Sequence, residues 1–341
     1  MGRAAGRRPT LADVAERSGL SKAAVSMVLN DRPGSRLSAD AAERIRAAAD
    51  ELGYRPNPAA QSLRLGKTRT IGFVSDEVTV TRYASGMIRG VLDAARAHDH
   101  TVLMAEATGH DLAEAVQAVT DRRVDGLLIG LMAARLIDVP DLPADLPIVL
   151  VNGVSAHDHS SVLPDERPAG AAVARYLLDR GHRDIGVIGD LPEVANDPRR
   201  SATIADRFAG IDAELARDGV SAARLDLAAW SPDVGFAATH RLLDAHPDLT
   251  ALIAGNDSLA FGVYQALAER GLRVARDVSV ISFDDDEFAA FQRPGLTTAR
   301  LPYEAMAKRG VDMLLGHAEP GRVRLPMPLV VRDSVRDLSA R

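Results

Sequence analysis

Cysteine is absent from all 341 residues, which excludes a disulfide framework, thiolate metal sites and thiol nucleophiles, and fits a reducing compartment. Long apolar runs are missing too. No window approaches the ~18 uninterrupted apolar residues of a membrane span, and the opening MGRAAGRRPTLADVAERS has no apolar stretch of signal-peptide type. A cytoplasmic protein with no membrane partner is therefore expected. No GxSxG elbow, Walker loop or HExxH occurs, so the commonest signatures of an enzyme are lacking. HDH at 98–100 and 157–159 reads as turn and loop rather than metal site, and the acidic run Asp284–Glu287 as an exposed loop. No cofactor and no metal are expected.

What is present begins with charge. The formal net charge of −6 hides a division: residues 1–70 carry 13 Lys/Arg against 7 Asp/Glu, and the remainder 28 against 40. A basic head on an acidic body suits a nucleic-acid-binding segment, because phosphate contacts need local cations. With 46% hydrophobic residues the chain can bury sizeable cores, in two or three packed units at the usual ~100 to 200 residues per domain.

The head reads as three short helices. Thr10 with Asp13 has the capping-box pattern, Leu11, Val14 and Ala15 supply an apolar face, and Gly19 ends the helix. Ser21 can cap a second helix to about Asn30, whose Val25, Val28 and Leu29 recur at apolar spacing. The flank left over is Lys22, Ala23, Ser26 and Met27. Ser38 can cap a third helix that buries Ile45, Ala48 and Leu52 and stops at Gly53. Asn57 as cap and Pro58 at the first helical position predict one more short helix to about Leu65, too short to be stable alone.

Helix, glycine turn and a second helix with a small polar flank are the parts of a helix-turn-helix. In that geometry the second helix enters the major groove. Lys22 can then donate to guanine, Ala23 or Met27 can meet a thymine methyl, and Ala23 and Ser26 allow close approach. Thr10, Ser21, Ser26 and Asn30 suit phosphate oxygens.

From Thr70 onward, runs such as TIGFVSD, TVLMAEA, VDGLLIGL, PIVLVNG, DIGVIGD, LDLAAW, TALIAGND and VSVISFDD alternate with amphipathic helices. Strands covered on both faces read this way, which predicts parallel sheets in two doubly wound lobes with a crevice at the strands' carboxyl ends.

The segment TLADVAERSGLSKAAVSMVLNDRPGSRLSADAAERIRAAADELGYRPNPAAQSLRLGKTRTIGF resembles the head and hinge of the LacI/GalR family of bacterial transcription regulators. The resemblance runs through RVDGLLIG, LLDRGHRDIGVIGD, RFAG, AGNDSLAFG, DVSVISFDDDEFA and PGLTTARLPYEAMAKRGVDMLL, and spans essentially residues 10–335. It implies a helix-turn-helix DNA-binding head at 1–56 and a hinge helix and linker at 57–69. An α/β two-lobed, type I periplasmic-binding-protein-like body follows at 70–341. Lobe 1 is expected at about 70–162 and 296–321, and lobe 2 at about 163–295 and 322–336, with crossovers near Leu163, Leu296 and Arg322.

The implied function is that of a repressor binding double-stranded operator DNA as a homodimer, its affinity set by a sugar-like effector held between the lobes. Leu63 matches the family's leucine that enters the minor groove. Met27 stands where many relatives have arginine. Arg207, Asn256, Asp284 and Asn152 match polar effector contacts, and Trp230, the only tryptophan, an aromatic that stacks on sugar. Thr81, Arg82 and Tyr83 replace the family's usual first crevice loop, with Tyr83 taken as a further contact. Leu301 stands where some sugar-binding relatives are polar. Residues 325–335 are followed by no leucine heptad, which favours dimer over tetramer. A solute-binding protein would share the body but would have no use for residues 10–65.

Overall fold

The computed structural model describes residues 9–30, 37–55, 66–76, 84–107 and 112–339. Leu63, the expected hinge helix, Tyr83 and its neighbours Thr81 and Arg82 lie outside them. The chain divides into two compact units, residues 1–69 and 70–341.

The first unit holds α1 (Leu11–Ser18), α2 (Lys22–Leu29) and α3 (Ala39–Leu52). Their ends follow from local chemistry. Thr10 Oγ1 accepts from the Asp13 N–H while the Asp13 carboxylate accepts from the Thr10 N–H at 2.7 Å, a complete capping box. Ser21 and Ser38 each accept an amide of the first turn, from Ala24 and Ala41 at 3.2 Å. Gly19 and Gly53 close α1 and α3 in the left-handed region, at φ 70° and 64°. Val14, Val25 and Ile45, one from each helix, are fully buried, with Ala15, Ala24, Val28, Ala48 and Ala49 around them. Leu52, expected in this core, only flanks it.

The second unit opens with β1 (Thr70–Ser75), α4 (Ala84–Ala97), β2 (Thr101–Glu106), α5 (Leu112–Thr120), β3 (Gly126–Ile137), β4 (Ile148–Ser155) and β5 (Ser160–Pro164). Next come α6 (Glu166–Leu178), β6 (Ile185–Asp190), α7 (Pro192–Ala195), α8 (Ile204–Arg217), β7 (Ala223–Asp226), α9 (Pro232–Ala245), β8 (Ala251–Ala254) and α10 (Asp257–Glu269). It ends with β9 (Ser279–Asp284), α11 (Glu287–Phe291), β10 (Thr297–Arg300), α12 (Tyr303–Leu314), β11 (Arg322–Leu325) and β12 (Leu329–Val330).

Two six-stranded sheets result, in the orders β11-β5-β4-β3-β1-β2 and β12-β10-β9-β8-β6-β7. All pairings are parallel except β10 with β12. The central strands are apolar because helices cover both faces. Two of the expected covered runs sit at sheet edges instead: β2 leaves Met104 half exposed, and LDLAAW is strand only as far as Asp226.

The lobe boundaries need correction. Residues 297–300, expected in the first lobe, form β10 and pair with β9 of the second sheet, while residues 322–325, expected in the second lobe, form β11 and pair with β5 of the first. The chain therefore crosses at Asp165, again at Leu301–Pro302, and last at Pro326–Pro328. Short edge or near-edge strands such as RVRL carry little apolar pattern, so the sequence does not say which sheet they join.

Helices α6 and α8 cross in the second lobe at two glycines. A Cβ on Gly170 would lie 2.0 Å from the Arg207 carbonyl oxygen, and one on Gly210 2.0 Å from that of Arg167. Backbone cannot yield as a side chain can, so Gly170→Ala or Gly210→Ala should destabilise the body by about 3 kcal/mol, the upper range for overpacking. Gly219→Ala, with no atom within 4 Å but a left-handed φ of 69°, should cost only about 1 kcal/mol. Thermal and urea unfolding of the three variants checks the order.

Candidate DNA-reading helix and effector crevice

On α2 the buried side chains are Ala24, Val25 and Val28. Ser21, Lys22 and Ala23 are exposed, and Ser26, Met27 and Asn30 partly so. At 100° per residue Lys22, Ala23, Ser26, Met27 and Asn30 form one face, opposite the core, and Ser21 stands before the first turn as its cap. No acidic residue lies in the first turn of this helix, so its N-terminal amides and Lys22 make an anion-favouring end. Ser21 uses its lone pair as the cap and keeps its proton to donate. The Asn30 amide donates to the Ser26 carbonyl at 2.6 Å and to its hydroxyl at 3.3 Å, which anchors the far end of the face. Thr10 differs from expectation: its hydroxyl donates to Asp13 at 2.8 Å and accepts within the capping box. It is occupied inside the protein.

In the second lobe, the α6–α8 crossing places Glu166 against Arg207. Arg207 Nε and Nη2 donate to the two Glu166 carboxylate oxygens at 2.6 and 2.8 Å, and Nη1 donates to the Gly255 carbonyl at 2.5 Å. Both side chains are 4% exposed. An Asp284 oxygen lies 3.7 Å from Nη2, and the guanidinium carbon is 4.5 Å from the centre of the Phe283 ring and 5.5 Å from that of Trp230. Burial alone would lower the Arg207 pKa, but the charge and hydrogen bonds of Glu166 outweigh it and raise it. Glu166 was not foreseen from the sequence.

Trp230 follows β7, donates its indole N–H to the Gly189 carbonyl at 2.8 Å, and lays its six-membered ring over Gly255, where a Cβ would stand 2.8 Å from it. Phe208 meets it edge-on. Asn256, the next residue after Gly255, caps α10 through the Leu259 amide at 2.9 Å. Arg207, Trp230, Asn256 and Asp284 are thus gathered at the carboxyl ends of β7, β8 and β9. Asn152 belongs to the other sheet. It is buried, its amide donates to the Leu131 carbonyl at 2.9 Å, and its Oδ1 has no partner among the described residues. Asn152 and Asp284 also have left-handed backbones, φ 57° and 107°, a conformation that collects at functional sites.

The first lobe contributes Tyr303 and Asp76. Tyr303 donates its hydroxyl to the Met132 carbonyl at 2.6 Å, and burial, aided by the Asp284 charge, holds its pKa well above the usual phenol value. Asp76 accepts from the Met132 amide at 2.9 Å and pairs with Arg135 at 2.5 Å. Leu301 packs against the cores of both lobes, so its apolar character serves the crossover. A cavity of about 780 Å³ opens against Asp284, Leu301 and Tyr303. Beyond the crossovers, the end of β3 also joins the lobes: Leu136 N–H donates to the Pro198 carbonyl and Ala202 N–H to that of Ala134, both at 2.7 Å. The acidic run is held by arginine, with Asp285 on Arg300 at 2.7 Å and on Arg332 at 2.6 Å.

A small helical head with an acid-free outer helix face, and a two-lobed α/β body with a polar crevice at its strand ends, define the class of helix-turn-helix regulators with a periplasmic-binding-protein-like body. Residues 10–57 match the bacterial regulatory proteins of the lacI family, and residues 174–335 the periplasmic binding protein-like domain. An uncharacterized HTH-type transcriptional regulator from the aml 5′ region of Streptomyces limosus is 36% identical over 90% of this chain and 87% of its own. The lac repressor dimer bound to operator and the anti-inducer ONPF is 26% identical, covering 97% of this chain and 100% of that one with a TM-score of 0.75. A LacI family regulator from Enterococcus faecium with bound ribose is 25% identical, covering 79% of this chain and 100% of that one with a TM-score of 0.62. The chain belongs to the LacI family of bacterial DNA-binding transcriptional repressors.

Beneath the crevice, Asp257 at the start of α10 accepts from Ser282, from Thr298 at 2.8 Å and from the Asp286 amide at 2.7 Å. Burial, with the Asp284 charge, pushes its pKa up to about 8. A carboxyl raised in the folded state binds its proton there more tightly than when unfolded, so this contribution to stability is full in acid and is lost as pH rises toward 8. Asn fits the same contacts, its Oδ1 on the Asp286 amide and its Nδ2 on the two hydroxyls. The melting temperature of Asp257→Asn should therefore fall less than that of the native protein between pH 6 and 9, in melts recorded across that range.

Proposed function

We propose that the head reads operator DNA with α2 in the major groove, Lys22, Ala23, Ser26 and Met27 facing base edges and Ser21 and Asn30 the backbone. Leu63 would enter the minor groove. The observation that carries this is the division of α2: one face is acid-free and reaches solvent through Lys22, Ala23, Ser26 and Met27, while its other face is the core. Thr10 is left out of the contact set, since the capping box holds its hydroxyl.

The crevice takes a sugar or sugar derivative through Arg207, Trp230, Asn256, Asp284 and Asn152, with Tyr83 from the first crevice loop. A half-buried indole beside converging donors and acceptors suits a pyranose, which offers a C–H face and a rim of hydroxyls, and the Enterococcus faecium relative holds ribose. The effector shifts the balance between lobe arrangements, and operator affinity changes by the difference in its affinity for the two states. The protein works as a homodimer, as the lac repressor does on its operator. In support, Phe261 and Phe291 are exposed, and Phe261 meets Phe288 edge-on at 5.9 Å, an apolar patch of the kind that partners cover. Among the described residues no helix is long and apolar enough to cross a membrane, and the proposed place of action is the cytoplasm, on the nucleoid.

The test is operator selection from a random duplex pool, followed by fluorescence anisotropy. The native protein should bind the selected duplex with log K falling linearly in log[salt]. Lys22→Ala should weaken it about 5- to 100-fold, the worth of a bidentate base contact, and weaken random duplex far less. Equal losses on both duplexes would reduce Lys22 to a phosphate contact, and no loss would remove α2 from the groove.

A further inference from the structure

The fork that Arg207 could offer to a ligand carboxylate is already filled from within. A guanidinium grips one carboxylate in parallel through neighbouring nitrogens, and that edge of Arg207, Nε with Nη2, holds Glu166 at 2.6 and 2.8 Å. Its third nitrogen is on the Gly255 carbonyl. The next charge is again negative, Asp284 at 3.7 Å. One buried cation thus stands among two carboxylates.

The surroundings repeat the pattern. Asp76 holds Arg135, and around the cavity Arg300 is bound to Asp285 and Lys308 to Glu304 at 2.6 Å. Each of these cations is matched before a ligand arrives. The carboxylate or phosphate group of a charged sugar can only accept hydrogen bonds, and here it would meet a surplus of negative charge. A hydroxyl can donate to carboxylates and accept from Arg207 or the Asn256 and Asn152 amides.

We propose that the effector is an uncharged polyhydroxyl molecule, a neutral sugar, and that the Glu166–Arg207 pair turns away sugar acids and sugar phosphates. This rests on the sugar-site reading of the crevice given above. The pair is this chain's specificity device: it keeps a hydrogen-bonding arginine in the site while cancelling its charge.

Titration calorimetry on the full-length protein tests it, with ribose, glucose and galactose, their aldonates and their terminal phosphates as probes. A neutral sugar should bind, with its aldonate and phosphate at least tenfold weaker. Glu166→Gln, which leaves Arg207's charge unmatched by that side chain, should narrow the ratio between neutral sugar and aldonate at least tenfold. Glu166→Asp, which keeps the charge, should preserve the ratio, and melting curves report whether each variant is folded. An aldonate or phosphate that binds the native protein as tightly as its parent sugar overturns the proposal and leaves the sugar site standing, as does an unchanged ratio in folded Glu166→Gln. If no probe of either class binds, the sugar reading itself falls, and this inference with it.

Discussion

A buried arginine needs its charge answered, and much of the crevice is arranged around meeting that need. Removing a guanidinium and a carboxylate from water costs several kcal/mol per ion, recovered only when geometry is good and the remaining polar atoms are bonded. Arg207 meets both conditions, bidentate on Glu166 and bonded to the Gly255 carbonyl. The pair in turn depends on a packing fact one turn of helix away. Glycines at 170 and 210 let α6 and α8 touch backbone to backbone, which fixes the separation of the two helices that carry Glu166 and Arg207. Trp230 and the start of α10 follow, because both pack around Gly255. A constraint on volume has become one on charge.

The head rests on a different economy of means. Three residues, Val14, Val25 and Ile45, meet at its centre, and so small a core leaves little apolar area to stabilise it. Local terms therefore count for more: a capping box, two serine caps and two left-handed glycine ends, where a single cap is worth roughly 0.5–2 kcal/mol. Between helices, Arg17 pairs with Glu51 at 2.7 Å and Arg44 donates to the Ser18 carbonyl at 2.6 Å. These bonds lie away from the outer face of α2, which is left to Lys22, Met27 and small side chains. A flank without acids, with Ala23 and Ser26 small, gives up little stability and leaves the helix able to approach a polyanion closely.

The sequence carries this kind of information unevenly. Helix ends and the α2 face were legible because capping and apolar spacing act within a few residues, and Ser21, Ser38, Gly19 and Gly53 behave as their chemistry dictates. The central strands were legible because burial on both faces leaves a continuous apolar run. Strands β10 and β11 were not, since four residues are too few for TTAR or RVRL to say which sheet they join, and only long-range pairing assigns one to each. Among site residues, Arg207, Trp230, Asn256 and Asp284 do converge, whereas Glu166 was overlooked. Its partner lies 41 residues on, and a glutamate opening a helix has an ordinary local explanation in the helix dipole. The signal was the glycine spaced one turn beyond it, which permits a close crossing but does not name what the crossing joins. Thr10 reads both as a cap and as a phosphate contact, and the structure shows its hydroxyl engaged in the capping box.

A neutral ligand, as proposed above, constrains how a response is driven. A charged ligand could draw two lobes together over a distance. A neutral one acts only through contacts made after they meet, so its leverage is the number of hydrogen bonds that exist in one lobe arrangement and not the other. At about 0.5–1.5 kcal/mol net for each, two or three such bonds supply the ~1–3 kcal/mol of a typical coupling between sites. The lobes already share backbone bonds at Leu136–Pro198 and Ala134–Ala202 and apolar packing at Leu301. Terms of this size are of the same order as the contribution of the proposed sugar, so a few of its hydroxyls bridging Asn152 on one sheet to Asn256 or Asp284 on the other would be enough to decide which arrangement prevails.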